Sequence, residues 1–453
     1  MEHIAIIGSG FCGTALAIQL LRNAKGPFRL SLINRSGRLA RGLAYGTRSA
    51  SHILNVPAER MSLFPEQPSD FLDFARQQMP QARPGDFLPR RIYGDYLQDR
   101  LGHAIAEAAP GVRFSSICQQ ALELIEQGDQ LRLMLDDGQP LDSRKVIIAT
   151  GNFAPATPGP LRALEHDPRY LRDPWTPGAL ESIPADASVL LLGTGLTMYD
   201  MALALQDQGH RGLLLALSRR ALLPQAHRDN ASHPALPELP QAFFHNMSLN
   251  SRLRGLRTLI RQAAVDGHDW RDVIAALRPA TPTLWQALDD NERSRFLRHL
   301  QPYWDVHRHR AAPPVAQRIE ALRDSGQLRI QAGRIMAART TPDALQLTMR
   351  QRGETLAQEQ RFDFLINCTG PCTDLRVANE PLLGGLLARG AIRQDRQGLG
   401  LDTDAQYRLL DAHGNAHPHL HLLSPMLRAS HWEATAVPEL RTHAARLAEL
   451  LLD

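Results

Sequence analysis

The chain carries two glycine-rich turns, one at its N-terminus from Gly8 to Gly13 and one near its middle from Gly193 to Met198. Each turn follows a short apolar run, 4–7 or 189–192, and precedes a segment with helical apolar spacing. A buried strand, a glycine turn and a helix in this order place backbone N–H groups and a helix N-terminus against a pyrophosphate. Two such units predict two dinucleotide sites, with candidate residues Gly8, Ser9, Gly10, Gly13, Thr14, Gly193, Thr194 and Gly195.

The same order of elements recurs in the two halves of the chain. After each turn come a second strand, then strands predicted to form an antiparallel meander, then a strand that ends in Thr-Gly. The meander strands are expected at 112–114, 121–125 and 131–135, and again at 328–330, 335–339 and 344–350. The closing Thr-Gly pairs add Thr150, Gly151, Thr369 and Gly370 to the cofactor-binding candidates.

This duplication predicts an α/β fold with two Rossmann-like dinucleotide-binding domains of the glutathione-reductase-like flavoprotein type. The predicted division is 1–155 for the first part of an FAD-binding domain, 156–184 for a proline-rich linker, 185–325 for an NADPH-binding domain and 326–453 for the second part of the FAD-binding domain. Helical apolar spacing at 252–264, 270–277, 292–300 and 315–323 predicts a helical insertion at about 224–324 in the second domain.

The residues that follow the second strand of each unit bear on the choice of nucleotide. An acidic residue there commonly binds the ribose hydroxyls, but this chain has Asn34 in the first unit and Ser218, Arg219 and Arg220 in the second. Because arginine binds phosphate bidentately, we expect the 2′-phosphate of NADPH at the second turn. By analogy with two-dinucleotide flavoproteins, the N-terminal turn together with a closing Thr-Gly strand over 363–370 indicates FAD at the first.

Composition and charge exclude several other classes of protein. The chain has 453 residues, a net charge of +4 and a pI near 9.0, but its basic residues are scattered, so no nucleic-acid surface is expected. No apolar run reaches the length of a membrane span, and strand 4–7 leaves no room for a signal peptide, so a cytoplasmic location is expected. His227, His233, His307 and His309 do not have metal-site spacing, and no metal is expected.

Segments along almost the whole chain resemble the bacterial FAD-NAD(P)-binding family, whose members are related at fold level to N-hydroxylating and other flavin monooxygenases. These segments are 42–46, 54–62, 91–97, 193–198, 218–220, 303–308 and 433–440. The resemblance implies FAD at the first turn, a reduced nicotinamide at the second, and a C-terminal helix from about Val437 that points at the flavin. It also implies that 54–62 runs near the flavin ring. The further candidates at the flavin are Asn55, Arg60, Met61 and Thr435, with His52 and Tyr93 beside them.

The cysteine pair of the disulfide reductases and the linker pattern of Baeyer–Villiger enzymes are both missing from the sequence. The sequence therefore predicts an FAD- and NADPH-dependent oxidoreductase, first a single-component monooxygenase that hydroxylates a small amino acid or amine. The alternatives are an NADPH dehydrogenase that passes electrons to a quinone or protein, and a flavin redox sensor without catalysis. The sequence singles out no catalytic residue. Two interpretations stay open for Tyr303, Trp304, His307 and Arg308: a border of the substrate pocket, or a buried aromatic helix with exposed basic residues.

Overall fold

The protein is described from a computed structural model that covers residues 1–47, 49–228, 248–378 and 380–453. The described strands form three sheets. In chain order they are β1 (Glu2–Ile7), β2 (Phe28–Ile33), β3 (Arg113–Ile117), β4 (Ala121–Gln127), β5 (Gln130–Leu135), β6 (Pro140–Ser143), β7 (Lys145–Ile148), β8 (Tyr170–Leu171), β9 (Val189–Leu192), β10 (Leu214–Ser218), β11 (Leu328–Thr340), β12 (Leu345–Gln351), β13 (Gln358–Phe362), β14 (Phe364–Asn367), β15 (Arg408–Leu410) and β16 (Ala416–Leu422).

The α-helices cover the faces of these sheets or belong to the helical insertion. In chain order they are α1 (Phe11–Asn23), α2 (Gly42–Tyr45), α3 (Asp70–Gln78), α4 (Arg90–Ala106), α5 (Leu196–Asp207), α6 (Leu249–Val265), α7 (Trp270–Leu277), α8 (Thr281–Gln286), α9 (Asp290–Arg295), α10 (Gln301–Arg308), α11 (Pro313–Asp324), α12 (Pro381–Ala388) and α13 (Val437–Leu452). Among the described helices, none is both long and apolar enough to span a bilayer.

The first domain is built on a six-stranded sheet in the order β15-β16-β7-β1-β2-β3. All neighbouring strands are parallel except the pair β15 and β16. Helix α1 is buried from Phe11 to Leu21 because α4 and α13 pack against it while it lies on the sheet. Burial on several sides explains why this helix is apolar over most of its surface.

The second domain repeats this plan on a seven-stranded sheet in the order β13-β12-β11-β10-β9-β14-β8. Strands β11, β10, β9, β14 and β8 run parallel. The long strand β11 pairs with β10 up to Ala332 and then continues from Gly333 as the partner of the antiparallel strand β12. The two predicted strands at 328–330 and 335–339 are therefore one continuous strand. A separate three-stranded sheet, β4-β5-β6, is the corresponding addition to the first domain.

The α/β class and the two largely parallel Rossmann-like sheets are confirmed, whereas several predicted boundaries are wrong. Residues 328–367 belong to the second sheet, so the chain returns to the first domain after 367 and not at 326. The predicted linker at 156–184 contributes the edge strand β8 to the second sheet. Strand β3, expected in the meander, pairs in parallel with β2. Each difference arises because parallel pairing joins segments that are distant in sequence.

The helical insertion lies between β10 and α11. Helix α11 is itself the crossover helix of the second domain, since Val315, Ile319 and Leu322 pack into the core beneath β10. The four predicted helical stretches are all helical, and Phe296–Leu300 forms a π-helical turn between α9 and α10. The insertion packs against the first domain through Trp285, whose indole N–H donates to the Ala429 carbonyl at 2.9 Å and whose ring lies 4.5 Å from that of Trp432.

Candidate functional site

The first glycine turn is held against the end of strand β7. Gly8 has φ +108°, and a Cβ at this position would stand 2.6 Å from the Ala149 carbonyl oxygen. The Gly8 N–H donates to the Ile33 carbonyl at 2.8 Å, and a side chain on Gly13 would meet the Gly8 carbonyl. Gly8 is required by its left-handed backbone together with this close approach, and Gly13, which lies within α1, is required by the close approach alone. The turn therefore presents bare backbone at the N-terminus of α1.

Two buried hydroxyls beside this turn have no hydrogen-bond partner within the described chain, Ser9 Oγ and Thr150 Oγ1. Thr14, by contrast, donates its hydroxyl to the Ser9 carbonyl at 3.2 Å. Gly10 occupies the N-cap of α1 without a side-chain cap, so the first N–H groups of the helix are also open. Unpaired buried hydroxyls are costly unless a ligand satisfies them. Together with the helix dipole, they fit the pyrophosphate of a dinucleotide.

The second glycine turn reproduces the first in detail. Gly193 has φ +117°, and a Cβ there would meet the Cys368 carbonyl, as one on Gly8 would meet Ala149. Gly193 N–H donates to the Leu217 carbonyl at 2.8 Å. Gly195 is the N-cap of α5, again without a side-chain cap, and no atom lies within 4 Å of a Cβ built on it. The duplication seen in the sequence is therefore a duplication of backbone geometry.

The two closing strands also correspond. Strand β7 pairs with β1 and leads to Thr150 and Gly151, whereas β14 pairs with β9 and leads to Thr369 and Gly370. The assignment of the 363–370 strand to the FAD-binding domain is thus wrong, because it closes the second sheet. Thr369 donates its hydroxyl to Asn367 Oδ1 at 2.7 Å, and Gly370 has φ +90° with open space around it.

The residues after the second strands differ between the two sites. Asn34 folds back on its own turn, donating its amide to the Arg38 carbonyl at 3.0 Å. Ser218 bonds the Thr194 hydroxyl at 2.9 Å, which ties the second turn to the end of β10. Arg219 is exposed, and Arg220 donates to the Arg298 carbonyl at 3.2 Å while its guanidinium lies 5.9 Å from the Tyr303 ring.

The group predicted at the flavin ring divides into buried and exposed members. Met61 is buried, and Asn55 accepts a hydrogen bond from His227 Nε2 at 3.1 Å through its carbonyl. Arg60 and Thr435 are exposed. Two further polar atoms, His52 Nε2 and Tyr93 OH, are buried without a partner within the described chain. Burial lowers the pKa of His52, and burial raises that of Tyr93.

Helix α13 begins at Val437, with Pro438 in its first turn and no side-chain cap, as expected for the helix proposed to face the flavin. Just before it, Glu433 is only 2% exposed and pairs with Arg308 of α10 at 2.7 Å. Arg278 forms a second ion pair with Glu439 in the first turn of α13. Two arginines of the insertion therefore hold the segment that precedes and begins α13.

The segment 303–308 was interpreted either as a border of the substrate pocket or as a buried aromatic helix with exposed basic residues, and its structure agrees fully with neither. Tyr303 is 44% exposed, while Trp304 packs into the core of the insertion and His307 Nδ1 bonds the Tyr303 carbonyl at 2.7 Å. Arg308, predicted to be exposed if the helix is structural, is instead largely buried. His309 is also enclosed, since burial and nearby arginines lower its pKa to about 3.

Further arginines lie beside these residues, and the sequence did not single out Arg228, Arg271 or Arg310. Arg310 follows α10, and its charged neighbours are Arg60, Arg228, Arg271 and Arg308. Burial and these like charges lower the pKa of Arg310 to about 10. Within the described ranges, no group of His, Cys, Asp and Glu side chains has a metal-binding arrangement, and His233 lies outside them. The site offers phosphate-binding turns and a cationic surface.

Comparison with known proteins gives a family match over the first third of the chain and a fold match over the whole of it. Residues 5–153 match the family model described as FAD-NAD(P)-binding. No curated protein matches the sequence significantly. Solved structures with a similar fold include the reduced ornithine hydroxylase of Pseudomonas aeruginosa, at 17% identity, a TM-score of 0.67 and coverage of 100% of this chain and 99% of that one.

Two further structures cover 100% of this chain. One is the ornithine N-hydroxylase of Kutzneria sp. 744 with reduced FAD, NADP⁺ and L-ornithine, at 14% identity, 99% coverage of that chain and a TM-score of 0.65. The other is the L-lysine 6-monooxygenase of Pseudomonas syringae, at 18% identity, 98% coverage of that chain and a TM-score of 0.63. Residues 5–153 are therefore an FAD-NAD(P)-binding domain, in a chain with the overall fold of the flavin-dependent N-hydroxylating monooxygenases.

Proposed function

We propose that this protein is an oxidoreductase that binds FAD at the first glycine turn and NADPH at the second. The observation that carries the proposal is the repeated turn geometry. A Cβ on Gly8 or on Gly193 would meet an equivalent carbonyl, and each turn leads into a helix without a side-chain cap. A single turn of this kind fits many nucleotides. Two such turns in one chain fit a pair of dinucleotide cofactors. Hydride transfer between these cofactors requires that one bound dinucleotide approach the other.

The first site suits a tightly held pyrophosphate. Gly8, Gly10 and Gly13 present backbone, while Ser9 and Thr150 offer the hydroxyls that lack partners in the protein. Asn34 stands where the ribose is expected, and its half-buried amide can still donate to a hydroxyl. The family match over 5–153 includes this turn and supports FAD here.

The second site suits a nucleotide with a 2′-phosphate. Arg219 is exposed and makes no ion pair among the described residues, and Arg220 retains free donors beyond its bond to Arg298. Thr194, Gly195 and Ser218 line the same turn, with Thr369 and Gly370 beside it. Two guanidinium groups at the end of β10 favour NADPH over NADH.

The chemistry that bound FAD would supply is redox chemistry: acceptance of a hydride from NADPH and transfer of electrons to oxygen or another acceptor. The open N–H groups at the start of α13 would stabilise negative charge on the reduced ring. Asn55, Arg60, Met61 and Thr435 are the residues that we propose around that ring. Their part is to orient the cofactor and exclude water from it.

The reaction that we propose is the hydroxylation of a small amino acid or amine. It is supported by the fold shared with structures named as ornithine and lysine monooxygenases. The alternative is an NADPH dehydrogenase that passes electrons to a quinone or protein. The two functions need the same cofactor sites, so the sites alone favour neither.

Product analysis separates them. The FAD-loaded protein is incubated with NADPH and oxygen in the presence of single amino acids and amines, and the products are examined by mass spectrometry. A monooxygenase gives a product heavier by one oxygen atom, with label from ¹⁸O₂, and its NADPH consumption rises with that substrate. If NADPH is consumed rapidly with a quinone and no labelled product forms with any compound, the dehydrogenase is the correct function.

A further inference from the structure

A largely buried ion pair joins the helix that follows the second glycine turn to the first domain. Arg90, the first residue of α4, donates from Nη2 to Asp200 Oδ2 on α5 at 2.8 Å. The two side chains are 16% and 9% exposed. Because a buried charge is stable only when it is paired, either charge alone would be unfavourable in this contact. The pair therefore ties α5 to the first domain.

Backbone hydrogen bonds join the chain around Arg90 to another segment of the first domain. The Leu54 N–H donates to the Leu88 carbonyl, and the Arg90 N–H donates to the His52 carbonyl, both at 2.9 Å. The Arg90 guanidinium also donates from Nε to the Ile53 carbonyl at 3.1 Å. The position of the guanidinium is therefore set by the backbone of both segments.

Further contacts between the domains surround the ion pair. Ile53 and Phe87 of the first domain pack against the apolar core of the second. The last residue of α5, Asp207, accepts a hydrogen bond from the Ser51 hydroxyl. Arg318 of α11 donates to both of these side chains at 2.6 Å. The first domain thus contacts α5 in its second turn and at its C-terminal end.

The ion pair lies between the two proposed cofactor sites. On one side, Arg90 is bonded to the chain that leads into Asn55, a member of the group proposed at the flavin ring. On the other side, Asp200 lies in the second turn of the helix whose N-cap is Gly195. Because a helix is rigid over one or two turns, a shift of Asp200 relative to Arg90 also shifts the second glycine turn.

We propose that Arg90 and Asp200 are positioning residues for hydride transfer, since their ion pair holds the nucleotide-binding helix α5 in place against the flavin-binding domain. This inference rests on the proposed function and deepens it. In the step that the pair serves, a hydride passes from NADPH to FAD, leaving NADP⁺ and reduced flavin. Such a transfer needs reacting atoms about 3–3.5 Å apart, so the relative position of the two domains controls its rate.

The test is the anaerobic reduction of the FAD-loaded protein by NADPH under stopped flow, which gives the limiting rate and the NADPH dissociation constant separately. In Asp200→Asn and in Arg90→Gln, the limiting rate should fall about ten- to hundredfold, because a misplacement of about 1 Å can cost that much. The dissociation constant should change less than about threefold, since the residues that bind the nucleotide are intact.

Two further variants separate positioning from a loss of folding. The double variant Arg90→Gln with Asp200→Asn leaves neither charge of the pair in the contact, so it can fold even if a single variant does not. It should be about as slow as either single variant, because all three lose the same contact. Arg90→Lys keeps the charge and should restore part of the rate.

Asp167→Asn is the matched control. Asp167 pairs with Arg169 at 2.8 Å, with side chains 6% and 22% exposed, but both residues lie just before β8 in the second domain. This variant should lose stability without a change in the limiting rate of flavin reduction. A loss of rate that merely follows stability would appear in this variant as well.

Hydrogen exchange measured by mass spectrometry reports on the contact without any cofactor chemistry. Exchange in 51–54 and 87–90 should become faster in Asp200→Asn and in the double variant, and stay unchanged in Asp167→Asn. The inference is wrong if exchange there is unchanged, if the double variant reduces its flavin at the wild-type rate, or if Asp167→Asn is equally slow. A wild type that NADPH does not reduce overturns the proposed function and this inference with it, whereas unchanged rates in a reducible protein overturn this inference alone.

Discussion

Single residues at the two turns are constrained in different ways. Gly8 and Gly193 are constrained by the protein, because a Cβ on either would meet a carbonyl oxygen and the backbone is left-handed. Gly195 has an extended backbone, with φ −85°, and open space where a side chain would stand. Nothing in the described part of the chain requires glycine there, and under the proposed function the absence of a side chain leaves room for the nucleotide phosphate at the backbone.

Gly195→Ala separates these two kinds of constraint. We expect the variant to fold with an unchanged melting temperature, since no contact is broken, and to bind NADPH at least about tenfold more weakly because the methyl group occupies the phosphate position. Fluorescence quenching gives the dissociation constant for NADPH, and thermal melts of the protein without nucleotide give the melting temperature. Gly102→Ala in α4, where a Cβ also meets nothing, is the control. Equal NADPH affinity in Gly195→Ala and wild type would place the nucleotide elsewhere.

Arg219 and Arg220 test the choice between NADPH and NADH. Replacing both by Ala removes charged partners that together are worth roughly 1.5–3 kcal/mol, since Arg219 is exposed to solvent. The KM for NADPH should rise by one to two orders of magnitude, while the KM for NADH changes little. Steady-state kinetics with each nucleotide measures this, with Arg211→Ala, an exposed arginine paired with Asp186 in the same domain, as the control. Equal effects on both nucleotides would show that the pair does not read the 2′-phosphate.

At the scale of elements, the ion pair between Arg308 and Glu433 joins α10 to the segment before α13. The two side chains are 11% and 2% exposed. Glu433→Gln leaves the guanidinium with one described ion-pair partner, Glu439, which is 4.0 Å away and already paired with Arg278. Loss of one partner of a buried pair typically costs about 3–5 kcal/mol. We therefore expect a corresponding loss in the free energy of unfolding, measured by urea denaturation.

A double variant distinguishes the ion pair from the packing of Glu433. Arg308→Met added to Glu433→Gln removes the uncompensated charge, so part of the lost stability should return. A loss below 1 kcal/mol for Glu433→Gln, or no recovery in the double variant, would mean that the pair does not hold the two elements together.

Elements defined by local pattern were predictable from the sequence, and their pairing was not. The spacing of apolar residues gave the insertion helices, and Pro438 marked the start of α13. The closing strand β14 was assigned to the wrong sheet because its apolar run fits any buried parallel strand. The choice depends on contact with β9, whose paired residues lie 175 positions earlier in the chain, as for Val189 and Phe364.

The same distinction applies to the candidate site. The glycine turns could be found because all their constraints lie within a few consecutive residues. The cationic region could not, since Arg60, Arg228, Arg271 and Arg310 come from four separate segments. Arg60 and Arg308 were singled out in two separate motifs, and the burial of Arg308 against Glu433 depends on the packing of the insertion onto the first domain.

At the scale of the whole molecule, buried histidines make stability depend on pH. Burial, in each case the largest cause, lowers the pKa of His227 and His309 to about 3 and that of His421 and His443 to about 4. The unfolded chain binds these protons near pH 6.5 and the folded chain does not. The stabilisation is therefore complete above about pH 7 and is lost as the pH falls toward 4.

The variant His443→Gln tests the contribution of one histidine to the pH dependence of the free energy of unfolding. In the wild type, the free energy of unfolding should fall between pH 7 and pH 5, with His443 contributing on the order of 1–2 kcal/mol of the difference. Urea denaturation at the two pH values should show a smaller difference in the variant. His166→Gln, an exposed histidine in the segment before β8, is the control. An unchanged pH dependence in His443→Gln would mean that this ring is not kept neutral by burial.

The two domains are proposed to act together, so that one chain passes electrons from NADPH to FAD. The direct measurement is an anaerobic titration of the FAD-loaded protein with NADPH and, separately, with NADH, followed by the visible absorbance of the flavin. The structure predicts that NADPH bleaches the flavin, at concentrations at least about tenfold lower than NADH requires. A flavin that stays oxidised with both nucleotides, or that is reduced equally well by NADH, would contradict the account.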